Sequence, residues 1–242
     1  MSTHLDINLY PSFTNVFADE TLKGIFYPLC TVENKNKYPN HLFHFVSSNG
    51  LWMNEDYVTK ENNTSYTLFD IVDRKYHFAG DVRLYKGYAQ AQLLFPRLEA
   101  EFEQNGKDYL KNRTKTKTYI STLKQTLTSD EIKDFDIDYF LQTFYEYSIN
   151  KLHFQLYGSF AKFRSIIDGW ASNKTKSPVV YPVTTKELDY ILGDSVQSAT
   201  QKANHFDVLG RTAGEEFFTD GNDTVLLYDV ETDKVLCWNF YS

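Results

Sequence analysis

The sequence predicts an α+β fold in a single domain over residues 1–242: an antiparallel sheet from N- and C-terminal strands, packed against a central group of helices. Three observations predict it. Apolar and polar residues alternate near both ends, as in Leu5, Ile7 and Leu9 and again in Leu236, Trp238 and Phe240, which is the period of a half-buried strand. In the middle, Ile137, Leu141, Phe144, Tyr145, Ser148, Ile149, Leu152 and Leu156 recur at steps of three and four, the period of one helical face. Connections between the strand candidates are short, which favours antiparallel pairing.

Taken in order, residues 4 to 10 read as a strand ended by Pro11. A short helix around Asp19 to Lys23 breaks at Gly24. A polar loop over 33–40 leads to a strand from His41 to Val46, and Leu51-Trp52-Met53 is an apolar island between polar turns. Tyr66 to Val72 is strand-like, with Tyr76 to Phe78 as its hairpin partner. From Leu84 the period becomes helical through Leu98 and Phe102 to Asn105-Gly106, with Pro96 as a kink or a restart. Lys107 to Lys117 reads as a polar, basic connector, Tyr119 to Leu127 as a short helix, and Thr128 to Glu131 as a helix start.

The central helix follows, with Asp136 as N-cap, Asp138 adding charge to the first turn and Gly158 as the stop. Phe160, Phe163, Ile167 and Trp170 predict a second helical face. Phe144, Ile149, Leu152 and Trp170 are the expected core residues. Val179 to Tyr181 is a strand candidate. Thr184 to Glu187 resembles a capping box opening a helix from Lys186 to about Lys202. The strands 224–229 and 234–241, joined by 230–233, form the clearest hairpin in the chain.

The chain carries 18 Tyr and 19 Phe, enough aromatic surface to fill a core and reach a binding face. Its net charge of −7 argues against a general nucleic-acid binder, so the basic run from Lys107 to Lys124 reads as an exposed connector. Cys30 and Cys237 stand far apart with no CxxC pair. The N-terminus has no basic region followed by an apolar run, and no window suits a membrane span. A cytoplasmic protein with reduced thiols is therefore expected, monomeric or weakly dimeric, with neither metal nor cofactor.

No GxGxxG, Walker loop, GxSxG or HExxH is present, which removes the motif-based enzyme readings. His41 and His44 are the only close histidine pair, but on a strand they point to opposite faces. Asp220-Gly221-Asn222-Asp223 has the residue types of a calcium loop without its length or terminal Glu, so it reads as a turn. The acidic cluster Asp130, Glu131, Asp134, Asp136 and Asp138 adjoins the most aromatic helix. Read as helical, it places Asp134 and Asp138 on one face. Asp130, Glu131, Asp134 and Asp138, with Tyr139 and Tyr145 as aromatic anchors, are the candidate binding residues for a protein partner. The competing reading is an enzyme using carboxylates such as Asp134, Asp138 or Asp220.

The C-terminal stretch from Gly214 to Ser242, with Asp220-Gly221-Asn222-Asp223, a strand, Glu231-Thr232-Asp233-Lys234-Val235 and a last strand, resembles the terminal hairpin of the SMI1/KNR4 (SUKH) family. That resemblance implies a cytosolic α+β protein, and many bacterial members are immunity proteins that neutralise a cognate toxin by binding it. The family's N-terminal helix and tryptophan-glycine pattern are absent here, and no functional residue carries over.

Overall fold

A computed structural model describes residues 6–165, 169–174, 179–183, 188, 206–219 and 221–240. Within them the chain folds as α+β, with four α-helices and antiparallel sheets. The strands β1 (Asp6–Leu9), β2 (Tyr27–Glu33) and β3 (Phe43–Ser47) form a three-stranded sheet in that order. A six-stranded sheet has the order β5 (Lys75–Phe78), β4 (Tyr66–Val72), β11 (Lys234–Phe240), β10 (Asp223–Asp229), β9 (Phe206–Thr212) and β8 (Val180–Tyr181). Strands from both halves of the chain thus share one sheet. β6 (Phe160–Ser165) and β7 (Gly169–Lys174) pair as a separate hairpin.

The helices are α1 (Phe13–Val16), α2 (Tyr88–Lys111), α3 (Arg113–Thr126) and α4 (Ile137–Tyr157). The three-stranded sheet lies between α2 and α4 on one side and the six-stranded sheet on the other. Tyr27 of β2 meets Tyr147 of α4 at 5.0 Å and Phe95 of α2 at 6.3 Å. On the opposite side, Phe43 of β3 meets Tyr228 of β10 at 4.9 Å. A second, smaller cluster of Tyr66, Val225, Leu227, Leu236 and Trp238 occupies the far face of the six-stranded sheet. Cys30 and Cys237 are buried free thiols, and burial pushes both well above the ordinary thiol value.

Local chemistry accounts for several boundaries. Asp136 caps α4 by accepting from the Tyr139 amide at 3.1 Å, and Gly158 ends it in the left-handed region at φ 65°. The 230–233 turn closes the β10–β11 hairpin in register, Asp229 opposite Lys234.

Other expectations are corrected. Phe160–Ser165 and Gly169–Lys174 form strands, not a helical face: Phe160 packs on Tyr10, Phe154 and Phe217 as part of β6. Ile167 lies outside the described residues. The basic stretch after Gly106 is helical rather than an irregular connector, because α2 runs on to Lys111 and Asn112 caps α3 by accepting from the Thr114 amide at 3.0 Å. Thr128 to Glu131 closes a turn without starting a helix. Of the expected core residues, Phe144 and Ile149 are buried, but Leu152 is only half-buried at the edge of the α2–α4 packing. Most of the helix expected from Lys186 to Lys202 falls outside the described residues, as does Asp220.

Candidate functional site

The corner where α4 begins carries the most organised polar and aromatic surface. One oxygen of Asp136 caps the helix. The other accepts the indole N–H of Trp52 at 2.9 Å. The indole lies 5.0 Å from the Tyr139 ring, with the planes inclined by 31°. Tyr139 is fixed in turn, donating its hydroxyl to Asn49 Oδ1 at 2.8 Å. Backbone bonds pin the tryptophan segment: the Lys86 amide donates to the Trp52 carbonyl at 2.8 Å, and the Asn54 amide to the Leu84 carbonyl at 2.6 Å. Trp52 nevertheless remains 56% exposed. A large apolar ring is thus held in place by groups that do not cover it.

This ring forms one wall of a cleft of about 590 Å³, shared with Tyr57, Arg83, Lys86, Tyr88, Asp134 and Asp136. Gly87 also lines it, with φ 78°, and a Cβ there would come within 2.3 Å of the Phe135 ring. That close approach, open only to glycine, lets Phe135 bury itself between two exposed acids, Asp134 and Asp136. Asp134 adopts the left-handed conformation at φ 56°. Also lining the cleft, the Arg83 guanidinium lies 4.6 Å from the Tyr57 ring centroid. Its Nε donates to both oxygens of Asp81, at 3.0 and 2.9 Å. These bonds raise the Arg83 guanidinium and lower the Asp81 carboxyl from their ordinary values.

The sequence-predicted residues divide among different surroundings. Asp134 and Tyr139 belong to this corner. Asp130 is exposed in the preceding turn. Glu131 accepts from the amide and hydroxyl of Thr128, at 2.7 and 2.8 Å, and these bonds hold its carboxyl below the usual range. Asp138 pairs with Lys124 of α3 at 2.5 Å and lines a separate cleft between α3 and α4. Asp134 precedes α4 and shares no helical face with Asp138, so those two carboxylates are not brought together. Tyr145 is fully buried and donates to Glu101 Oε2 at 2.7 Å, which removes it as a surface anchor. Burial, then the bond to Glu101, pushes its phenol well above the ordinary value.

His41 contacts Asp233 at 3.0 Å, whereas His44 is buried against Thr31. No three His, Cys, Asp or Glu side chains among the described residues are grouped as metal ligands. Trp52, Arg83 and Lys86 are the site residues that sequence reasoning missed. The available signal was an isolated tryptophan in a short apolar island between polar turns.

Asp136 is the joint of the corner. Asp136→Ala should lower stability by about 1 kcal/mol through loss of the cap. It should also free the indole, seen as a red-shifted and less anisotropic tryptophan emission than in the unaltered protein; Asp136→Asn, with a single accepting oxygen, can keep the cap but not the cap and the indole bond on separate oxygens. An emission in Asp136→Ala equal to that of the unaltered protein would show that the carboxylate does not hold the ring.

No helix among the described residues is long and apolar enough to cross a membrane. Comparison of the chain with protein-family models, with curated proteins and with solved structures found no match.

Proposed function

We propose that this is a non-catalytic protein-binding module that contacts its partner through the Trp52 corner. Its concrete form is an immunity protein that neutralises a toxin by binding it in the cytoplasm. The observation that carries the reading is an exposed tryptophan immobilised by Asp136 and Tyr139. Fixed aromatic anchors supply much of the energy of protein interfaces, because they bury large area while losing little conformational freedom. The neighbouring carboxylates and the net charge of −7 suit a basic partner, speeding encounter more than adding affinity. The resemblance of the last hairpin to the SUKH family supports the immunity form.

The test is partner capture from the native cell, with the product of the adjacent gene tried first. Trp52→Ala should weaken the recovered complex by roughly 30-fold or more, the scale of an interface hot spot. Replacing Asp130, Glu131 and Asp134 together with Lys should slow association and flatten its salt dependence. A partner indifferent to both sets would move the contact surface elsewhere. Turnover of a small molecule by the purified protein, with no partner recovered, would replace the binding reading with the carboxylate-enzyme one.

A further inference from the structure

We propose that the Trp52 cleft receives a guanidinium, the side chain of an arginine presented by the partner, stacked on the open face of the indole with Asp134 as its counter-ion. The inference rests on the protein-binding reading and names the chemistry that would be recognised.

The cleft already contains one such arrangement, complete and internal. Arg83 lies over the ring of Tyr57 and is gripped by Asp81. Trp52 and Asp134, which line the same cleft, repeat two of the three parts. Trp52 supplies a larger ring, backed by Tyr139 and held at its N–H by Asp136. Asp134 supplies a carboxylate lining the same cleft, with no cation bonded to it among the described residues. The third part, the cation, is what an incoming side chain would bring.

Charge favours that occupant. Arg83 is neutralised by Asp81. The remaining charged groups of the cleft are Asp134, Asp136 and Lys86, which leaves one negative charge in excess. An anionic ligand, or a nucleobase followed by its phosphates, would meet the two carboxylates that line the cleft. Shape favours guanidinium over ammonium. A guanidinium is flat, stacks on an aromatic face, sheds water more readily and can bond a carboxylate through two parallel N–H groups. An ammonium is a compact, strongly hydrated charge that gains less from a flat wall.

The probe is a blocked tripeptide, acetyl-Gly-Arg-Gly-amide, compared with its lysine and citrulline counterparts. Citrulline keeps the shape of arginine and removes the charge. Binding is followed by the Trp52 indole N–H resonance and, in the Trp52→Ala protein, by the backbone amides of Tyr57 and Lys86. The arginine peptide should shift these signals saturably and bind about fivefold or more tighter than the lysine peptide, with no saturation by citrulline. Asp134→Asn keeps a residue that tolerates the left-handed turn and removes only the charge. It should weaken the arginine peptide about tenfold, the scale of a charge-assisted bond, and Trp52→Ala should abolish binding.

Equal binding of arginine and lysine peptides, or an unchanged arginine affinity in Asp134→Asn, would overturn the inference in favour of unspecific charge attraction. So would the absence of any saturable shift. If that result accompanied a captured partner still dependent on Trp52, the guanidinium inference would fail and the protein-binding reading would stand. If the captured partner did not depend on Trp52, the guanidinium inference and the Trp52 corner as contact surface would fail together, and the contact would lie elsewhere.

Discussion

Phe144→Ala should lower folding stability by about 3–5 kcal/mol, the range for deleting a buried phenylalanine ring whose site cannot collapse. The side chain is 2% exposed and meets Phe95 edge-on at 5.4 Å and Phe102 at 6.3 Å, both across the α2–α4 interface. Leu152→Ala, on the same apolar repeat, should cost only about 1 kcal/mol because half-burial leaves less area to lose. Urea denaturation of both variants, with the slope unchanged, reads the difference. A Leu152 loss equal to the Phe144 loss would place the sheltered face of α4 one turn further on than the structure does.

Acid should destabilise the protein through His44, by about 3 kcal/mol in total. The imidazole is buried between the sheets, with Nδ1 2.8 Å from the Thr31 hydroxyl and Nε2 3.1 Å from the Arg74 carbonyl. A neutral ring satisfies both, donating from Nε2 to the carbonyl and accepting at Nδ1 from the hydroxyl. Burial lowers its pKa to about 4, against 6.5 for the free side chain. Between those values the unfolded chain takes up a proton that the folded one refuses. The contribution is therefore whole above pH 6.5, erodes as the pH falls, and is gone by about pH 4. Carboxylates titrate in part of the same window, so the measurement is the difference between wild type and His44→Gln in urea midpoints from pH 7.5 to 4. The variant should be weaker at neutral pH and lose less on acidification. Parallel curves would assign the acid sensitivity to other groups.

What was legible in the sequence was what neighbours along the chain decide. Asp136 and Gly158 mark the ends of α4 by capping chemistry within one turn of each. The β10–β11 hairpin is set by alternation and a polar four-residue turn over 230–233. Where distant packing decides, the same patterns misled. Phe160, Phe163, Ile167 and Trp170 have helical spacing, yet β6 and β7 pair as antiparallel strands with two register shifts. Gly106 weakens a helix in isolation, but it is buried within α2 and the helix runs through it. The Trp52 corner was the least legible feature. Its central hydrogen bond joins residues 84 apart, and Asp136 shows only its capping role to anyone reading along the chain.

The place of β11 between β4 and β10 also imposes a schedule on the growing chain. β4 meets its partner only when residues far downstream have been made: Asp70 lies opposite Lys234, 164 positions later. Ribosomes add roughly 5–20 residues per second, so the β4–β5 hairpin waits about ten to thirty seconds with one edge unpaired. Through that interval it presents open backbone donors and acceptors, together with Tyr66 and Phe69, which the completed fold shelters. Newborn copies on one message are therefore most open to joining each other by that edge until residues 234–240 emerge and fill the gap.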